Sequence, residues 1–162
     1  MKIALLGYGR MWKAIEEIAV KREHTIVAKI DKDNENESYM ADVAINFSVP
    51  RAAYKNISDA IERGIPVICG TTGWLDRFGE IESLCREKDG AFIYASNFSL
   101  GVNLFFELNK KLAAMMEKQP NYNVSIEEIH HTKKIDKPSG TAITLAEGVS
   151  SDQKWHLKEN KG

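Results

Sequence analysis

Leu5-Leu6-Gly7-Tyr8-Gly9-Arg10-Met11-Trp12 sets a Gly-x-Gly pair between a short apolar run and a helical pattern. That is the layout of a strand turning sharply into a helix beneath a phosphate. The glycines let the backbone turn tightly and approach the ligand, while the helix N-terminus offers free N–H groups and a positive dipole end. Gly7, Tyr8, Gly9, Arg10, Met11 and Trp12 are therefore the expected dinucleotide loop. About twenty residues on, the next apolar run ends in Ile30-Asp31-Lys32, where an acidic side chain can accept hydrogen bonds from an adenosine ribose. Lys32 suits a 2′-phosphate, so these residues leave NADH and NADPH both open. A Gly-x-Gly alone also fits an ordinary strand–helix turn; Asp31 at the right spacing favours the cofactor reading.

Trp12 departs from the three-glycine fingerprint. It stands where a third glycine permits close helix–strand packing. A side chain of that size is expected either to push the helix off the sheet or to enter the path of the dinucleotide.

Outward from this loop, short apolar runs alternate with longer helical patterns, the sequence form of a parallel sheet covered by helices. Strands are expected at residues 2–6, 25–30, 43–47, 67–69 and 91–94, and helices at 10–22, 51–63 and 76–88. The last two helices should close at Gly64 and Gly90 through left-handed caps. With right-handed crossovers this is an α/β, Rossmann-type doubly wound parallel sheet. After Asn97 the pattern changes to a long amphipathic helix at 100–118, a strand at 122–129, a polar loop and a short helix at 141–147. The expected division is a dinucleotide-binding domain at 1–99 and an incomplete α+β substrate domain at 100–162, ending before its sheet is finished.

Two further strand ends should meet the same crevice. Gly70-Thr71-Thr72-Gly73 offers small residues and hydroxyls suited to a nicotinamide ring, and Ala95-Ser96-Asn97-Phe98 reaches the same carboxyl edge. Each alone also fits an ordinary turn.

Composition bounds the partners. The 162 residues are 43% apolar and 28% charged with a net charge of -1, which gives no electrostatic reason for nucleic acid or an anionic membrane. The chain shows no spanning apolar run and no signal-peptide pattern, so a cytoplasmic location is expected. Cys69 and Cys85 lack pairing or ligand spacing and read as core thiols, and no metal site is expected.

Chemistry concentrates at Glu127-Glu128-Ile129-His130-His131-Thr132-Lys133-Lys134-Ile135-Asp136-Lys137-Pro138-Ser139-Gly140-Thr141-Ala142. Its lysines and histidines make a positive field suited to a substrate with several carboxylates. The Ser139-Gly140-Thr141 turn opens a helix whose N–H groups and Thr141 hydroxyl can bind one of those carboxylates. Hydride reduction of a C=C or C=N bond also needs a proton, and Lys134 is the expected donor. A solvated basic loop is the plainer reading, disfavoured by the paired histidines and the Ser-Gly-Thr turn. His24 and His156 lack such neighbours and are expected at the surface.

This stretch, with Gly70-Thr71-Thr72-Gly73 and Ser96-Asn97-Phe98-Ser99-Leu100-Gly101-Val102-Asn103, resembles the 4-hydroxy-tetrahydrodipicolinate (dihydrodipicolinate) reductases of lysine biosynthesis, from Met1 to about Gly148. The resemblance implies reduction of a cyclic dicarboxylate by NADH or NADPH on the route to diaminopimelate and lysine. It makes His130 a proton donor or acceptor and Lys134 the proton donor. His131 and the Ser139, Gly140 and Thr141 turn would bind the substrate. The loop from Gly7 to Trp12, Asp31 with Lys32, Gly70 to Thr72, and Ala95 to Phe98 would lie against the cofactor.

Family members usually form tetramers through the substrate-domain sheet, so a homo-oligomer is implied. Trp12, Lys137 in place of a small residue, and an early stop depart from the pattern. They keep a second expectation open, a truncated or catalytically weak remnant serving only as a dinucleotide-binding module. A nucleotide-sensing scaffold would have a dispensable His130–Lys134 cluster. A sugar or amino-acid dehydrogenase is disfavoured by the His-His and Pro-Ser-Gly-Thr stretch.

Overall fold

A computed structural model describes residues 1–7, 9–34, 37–130, 138–150 and 155–156. They fall into two compact units, Met1–Ala95 and Ser96–Gly162.

The first unit is a five-stranded, wholly parallel sheet: β1 (Lys2–Leu6), β2 (Thr25–Ile30), β3 (Val43–Asn46), β4 (Val67–Cys69) and β5 (Phe92–Tyr94), in the order β2-β1-β3-β4-β5. Parallel strands need crossovers, and three of the four are supplied by α1 (Arg10–Lys21), α2 (Pro50–Glu62) and α3 (Phe78–Glu87), the last entered through a 3₁₀ turn at Leu75–Arg77; the β2–β3 connection shows no helix among the described residues. Central β1 is buried on both faces, as a helix-covered strand must be. Its pleat divides two cores: Ile3 and Leu5 pack with Trp12 and Ala19 of α1, while Ala4 and Leu6 join Ala53, Ile57, Ala60 and Ile61 of α2.

Trp12 corrects both expectations placed on it. Its ring is 6% exposed and fills the layer between α1 and the sheet, on the same helical face as Ile15 and Ala19. The Lys29 ammonium, paired with Glu16 at 2.6 Å, lies 5.0 Å from its ring centroid. The helix stays packed because the large side chain becomes part of the core it was expected to disrupt.

The helix ends also differ in one place. Gly64, at φ +71°, closes α2 as expected, with the Ile65 amide donating to the Ala60 carbonyl at 2.9 Å. At the end of α3 the left-handed residue is Asp89 (φ 49°) rather than Gly90, whose amide donates to Cys85 O at 2.8 Å. Aspartate tolerates this region, so Gly90 sits one place beyond the turn.

In the second unit, α4 (Leu100–Met116) packs on α5 (Gly140–Val149), where the Asn109 amide donates to the Leu145 carbonyl at 2.9 Å. Phe106 is buried, whereas Leu104, Leu108 and Leu112 are exposed. The strand expected at 122–129 is absent among the described residues. Tyr122, Val124 and Ile126 alternate as a strand would, yet no described strand supplies the hydrogen-bonding partner that makes such a segment a ladder.

Candidate functional site

The sheet order changes direction between β1 and β3: one connection from β1 leads to β2 on one side, the next to β3 on the other. Ligands in open α/β sheets bind outside the carboxyl ends of the strands at such a point. A cavity of about 510 Å³ lies there, lined by Gly7, Gly9, Asp31 and Lys32 together with Phe47, Ser48, Arg51, Lys55 and Asn56.

The residues fit a pyrophosphate. Gly7 has φ +101°, and a Cβ there would stand 2.6 Å from Phe47 O and Ser48 Cα, so only glycine lets the chains leaving β1 and β3 approach so closely. Gly9 caps α1 without a side-chain hydrogen bond and faces open space, leaving first-turn N–H groups to a ligand. The Asp31 amide donates to Asn34 Oδ1 at 2.8 Å, and Asn34 in turn donates to Lys29 O at 2.9 Å, shaping the loop after β2. Met11 is exposed at the start of α1. Trp12 does not line the cavity. Tyr8 lies outside the described residues.

The β3 and β4 ends are stitched together beneath this cavity. Asn46 is fully buried; its amide reaches Thr71 Oγ1 and Cys69 Sγ at 3.4 Å each, and its oxygen accepts from Asn56 at 3.2 Å. Thr71 Oγ1 also accepts from the Ser48 amide at 2.9 Å, and the Trp74 indole donates to Thr71 O at 2.7 Å. The Thr71 hydroxyl, expected at the nicotinamide, is thus 5% exposed and already committed to protein partners. Gly70 is covered by the Phe47 ring, which occupies the place of a Cβ. Burial pushes the Cys69 thiol up, in keeping with an inert core position. The cavity reaches Gly7, Gly9, Asp31 and Lys32 but does not extend to Gly70, Thr71, Thr72 or Ala95.

In the second unit the Asn97 side chain accepts from the Ser99 amide at 2.8 Å, and Asn103 Nδ2 donates to the Asn97 and Ser99 carbonyls at 3.0 and 2.9 Å. Asn97 therefore builds the entry to α4. Ser96 Oγ lies 3.4 Å from Thr144 Oγ1, and Phe98 is exposed.

At α5, Ser139 is the N-cap, its hydroxyl accepting from the Ala142 amide at 3.1 Å. Gly140 and Thr141 form the first turn. Glu128 closes on this cap: Oε1 accepts from the Ser139 amide at 2.9 Å, and Oε2 takes the Ser139 hydroxyl at 2.5 Å and sits 2.7 Å from His130 Nε2. Those contacts, the Ser139 hydroxyl foremost, hold the Glu128 carboxyl down at about 2. His131, Lys134 and Lys137 lie outside the described residues.

Residue reasoning from sequence passed over Glu128 and the residues following β3. The Ser48-Val49-Pro50 sequence after a buried run, opening a helix with proline in its first turn, was a usable signal for the latter.

The family model for the N-terminus of dihydrodipicolinate reductase matches residues 1–98, and that for its C-terminus matches residues 101–161. A 4-hydroxy-tetrahydrodipicolinate reductase of Christiangramia forsetii is 57% identical over 98% of this chain and 70% of its own length. One from Thermosipho africanus is 34% identical over 96% of this chain and, again, 70% of its own. In fold, the chain matches a dipicolinate-bound dihydrodipicolinate reductase from Paenisporosarcina with a TM-score of 0.68 at 20% identity, covering 99% of this chain and 69% of that one.

Proposed function

This chain belongs to the dihydrodipicolinate reductase family, and from that premise we propose that it is an NAD(P)H-dependent oxidoreductase converting 4-hydroxy-tetrahydrodipicolinate to tetrahydrodipicolinate, with loss of water, on the lysine and diaminopimelate route. The structural observation that carries this reading is the cavity at the β1–β3 switch point, whose Gly7 and Gly9 backbone and uncapped α1 amides suit a pyrophosphate. When bound, the nicotinamide supplies the hydride.

Each protein group then has a task. Gly7 to Trp12 hold the pyrophosphate through backbone. Asp31 accepts from a ribose hydroxyl; its carboxylate has no hydrogen-bond partner among the described residues. Lys32 serves a 2′-phosphate, so either nucleotide is accepted. Gly70 to Thr72 and Ala95 to Phe98 shape the nicotinamide end, Thr71 through its position rather than its hydroxyl. His130 and Lys134 handle the proton that accompanies reduction. His131 and the first-turn amides of Gly140 and Thr141 bind the substrate carboxylates, while Ser139, whose amide and hydroxyl are taken by Glu128, holds that turn in place.

The same reading makes the protein a cytoplasmic homo-oligomer. Among the described residues no helix is long and apolar enough to cross a membrane.

The test is titration with NADH and then NADPH, with and without a pyridine dicarboxylate, followed by an assay of nucleotide oxidation on freshly generated substrate. Nucleotide binding that tightens with the dicarboxylate, together with turnover, is expected. Absence of both overturns the reading.

A further inference from the structure

The Glu128 carboxylate is shared between two functional elements. One oxygen accepts from the Ser139 amide, and the other meets both the Ser139 hydroxyl and His130 Nε2. Glu128 and His130 are two apart in a segment that is neither helix nor strand, and their 2.7 Å contact brings both side chains to one side of it. Ser139 is eleven residues from Glu128 and almost fully buried, so the carboxylate bridges an exposed histidine to a fixed helix cap.

An ionised carboxylate only accepts hydrogen bonds, so Nε2 must carry the proton in this contact. In neutral imidazole that leaves Nδ1 as the free acceptor.

We infer that Glu128 is a positioning residue for the reaction: it fixes His130 in its Nε2–H tautomer, makes Nδ1 the nitrogen that exchanges the proton, and anchors that histidine to the Ser139–Thr141 turn. The inference rests on the assignment of proton handling to His130 under the proposed function. Glu128 carboxyl ionisation is secured by the same hydrogen bonds, which keep it charged throughout the neutral range. Losing such an orienting carboxylate turns a histidine to the wrong tautomer without removing it.

The test is a double-mutant cycle in the full chain, with Glu128→Gln, His130→Gln and both together. Gln keeps the shape of Glu128 and an oxygen for the Ser139 amide. Expected is a fall in kcat of about tenfold or more for Glu128→Gln, with the KM for nucleotide unchanged and no further fall when it is added to His130→Gln. A Glu128→Gln variant with unchanged kcat, or equal effects of that change in both backgrounds, overturns the inference. If His130→Gln itself leaves kcat unchanged, the assignment of His130 fails and the inference fails with it.

Ring-nitrogen chemical shifts of His130 in the isotope-labelled parent protein give a check that needs no folded variant. In the neutral ring they should report the Nε2–H form; a dominant Nδ1–H form overturns the inference.

Discussion

Thr71 Oγ1 accepts the Ser48 amide at 2.9 Å, so the chain leaving β4 holds the chain leaving β3 in place. Thr71→Val keeps the volume and removes the acceptor. Leaving the Ser48 amide unsatisfied should cost about 1–3 kcal/mol in denaturant unfolding, and nucleotide affinity should fall with it. Thr71→Ser should recover most of both. A valine variant that unfolds at the parent's denaturant concentration would show that this bond contributes nothing.

Trp12→Gly should damage the protein rather than improve it. Removing a buried indole from between α1 and the sheet, and placing glycine in a helix, should cost about 3–5 kcal/mol in stability. Cofactor affinity should not rise, since the ring does not line the cavity. Tighter NADH binding by the variant would place the side chain in the ligand's path after all.

Asp31 and Lys32 should set nucleotide preference in opposite senses. Asp31→Ala should weaken NADH more than NADPH, and Lys32→Ala the reverse, each by about tenfold, the ~1.4 kcal/mol of one charge-assisted hydrogen bond. Dissociation constants for both nucleotides against both variants decide it; parallel losses would remove these residues from the choice.

Acid should loosen the start of α5 in a defined window. The Glu128 carboxyl is depressed from 4.5 to about 2, so its contribution to stability is fully present above about pH 4.5 and is lost as the pH falls towards 2. Amide exchange in the first turn of α5, corrected for the intrinsic pH dependence, should accelerate across that window in the parent protein. Glu128→Gln should exchange faster at neutral pH and show no such step.

The sheet was legible because its signal is local and repeated. Buried runs such as Ile3 to Leu6 and helical faces such as Ala53, Ile57 and Ile61 announce their own periods, and the expected strands match within one residue. The cofactor loop was legible for a similar reason, since Gly7 answers a steric demand that few other residues meet. What failed was whatever depended on a distant partner. Residues 122–129 carry a strand's alternation, but a ladder needs a second strand that no local pattern supplies. Trp12 breaks a motif in sequence and fills a core in space. Glu128 looks like any surface acid until Ser139 and His130 stand against it, and Thr71 like any loop hydroxyl until the Ser48 amide reaches it.

The Phe47 ring stands where a side chain on Gly70 would begin, so two residues on separate strand ends share one volume. A smaller side chain at position 47 opens position 70 to substitution, whereas a change at 70 made first must displace the Phe47 ring, so the order in which the two positions change decides the strain met on the way.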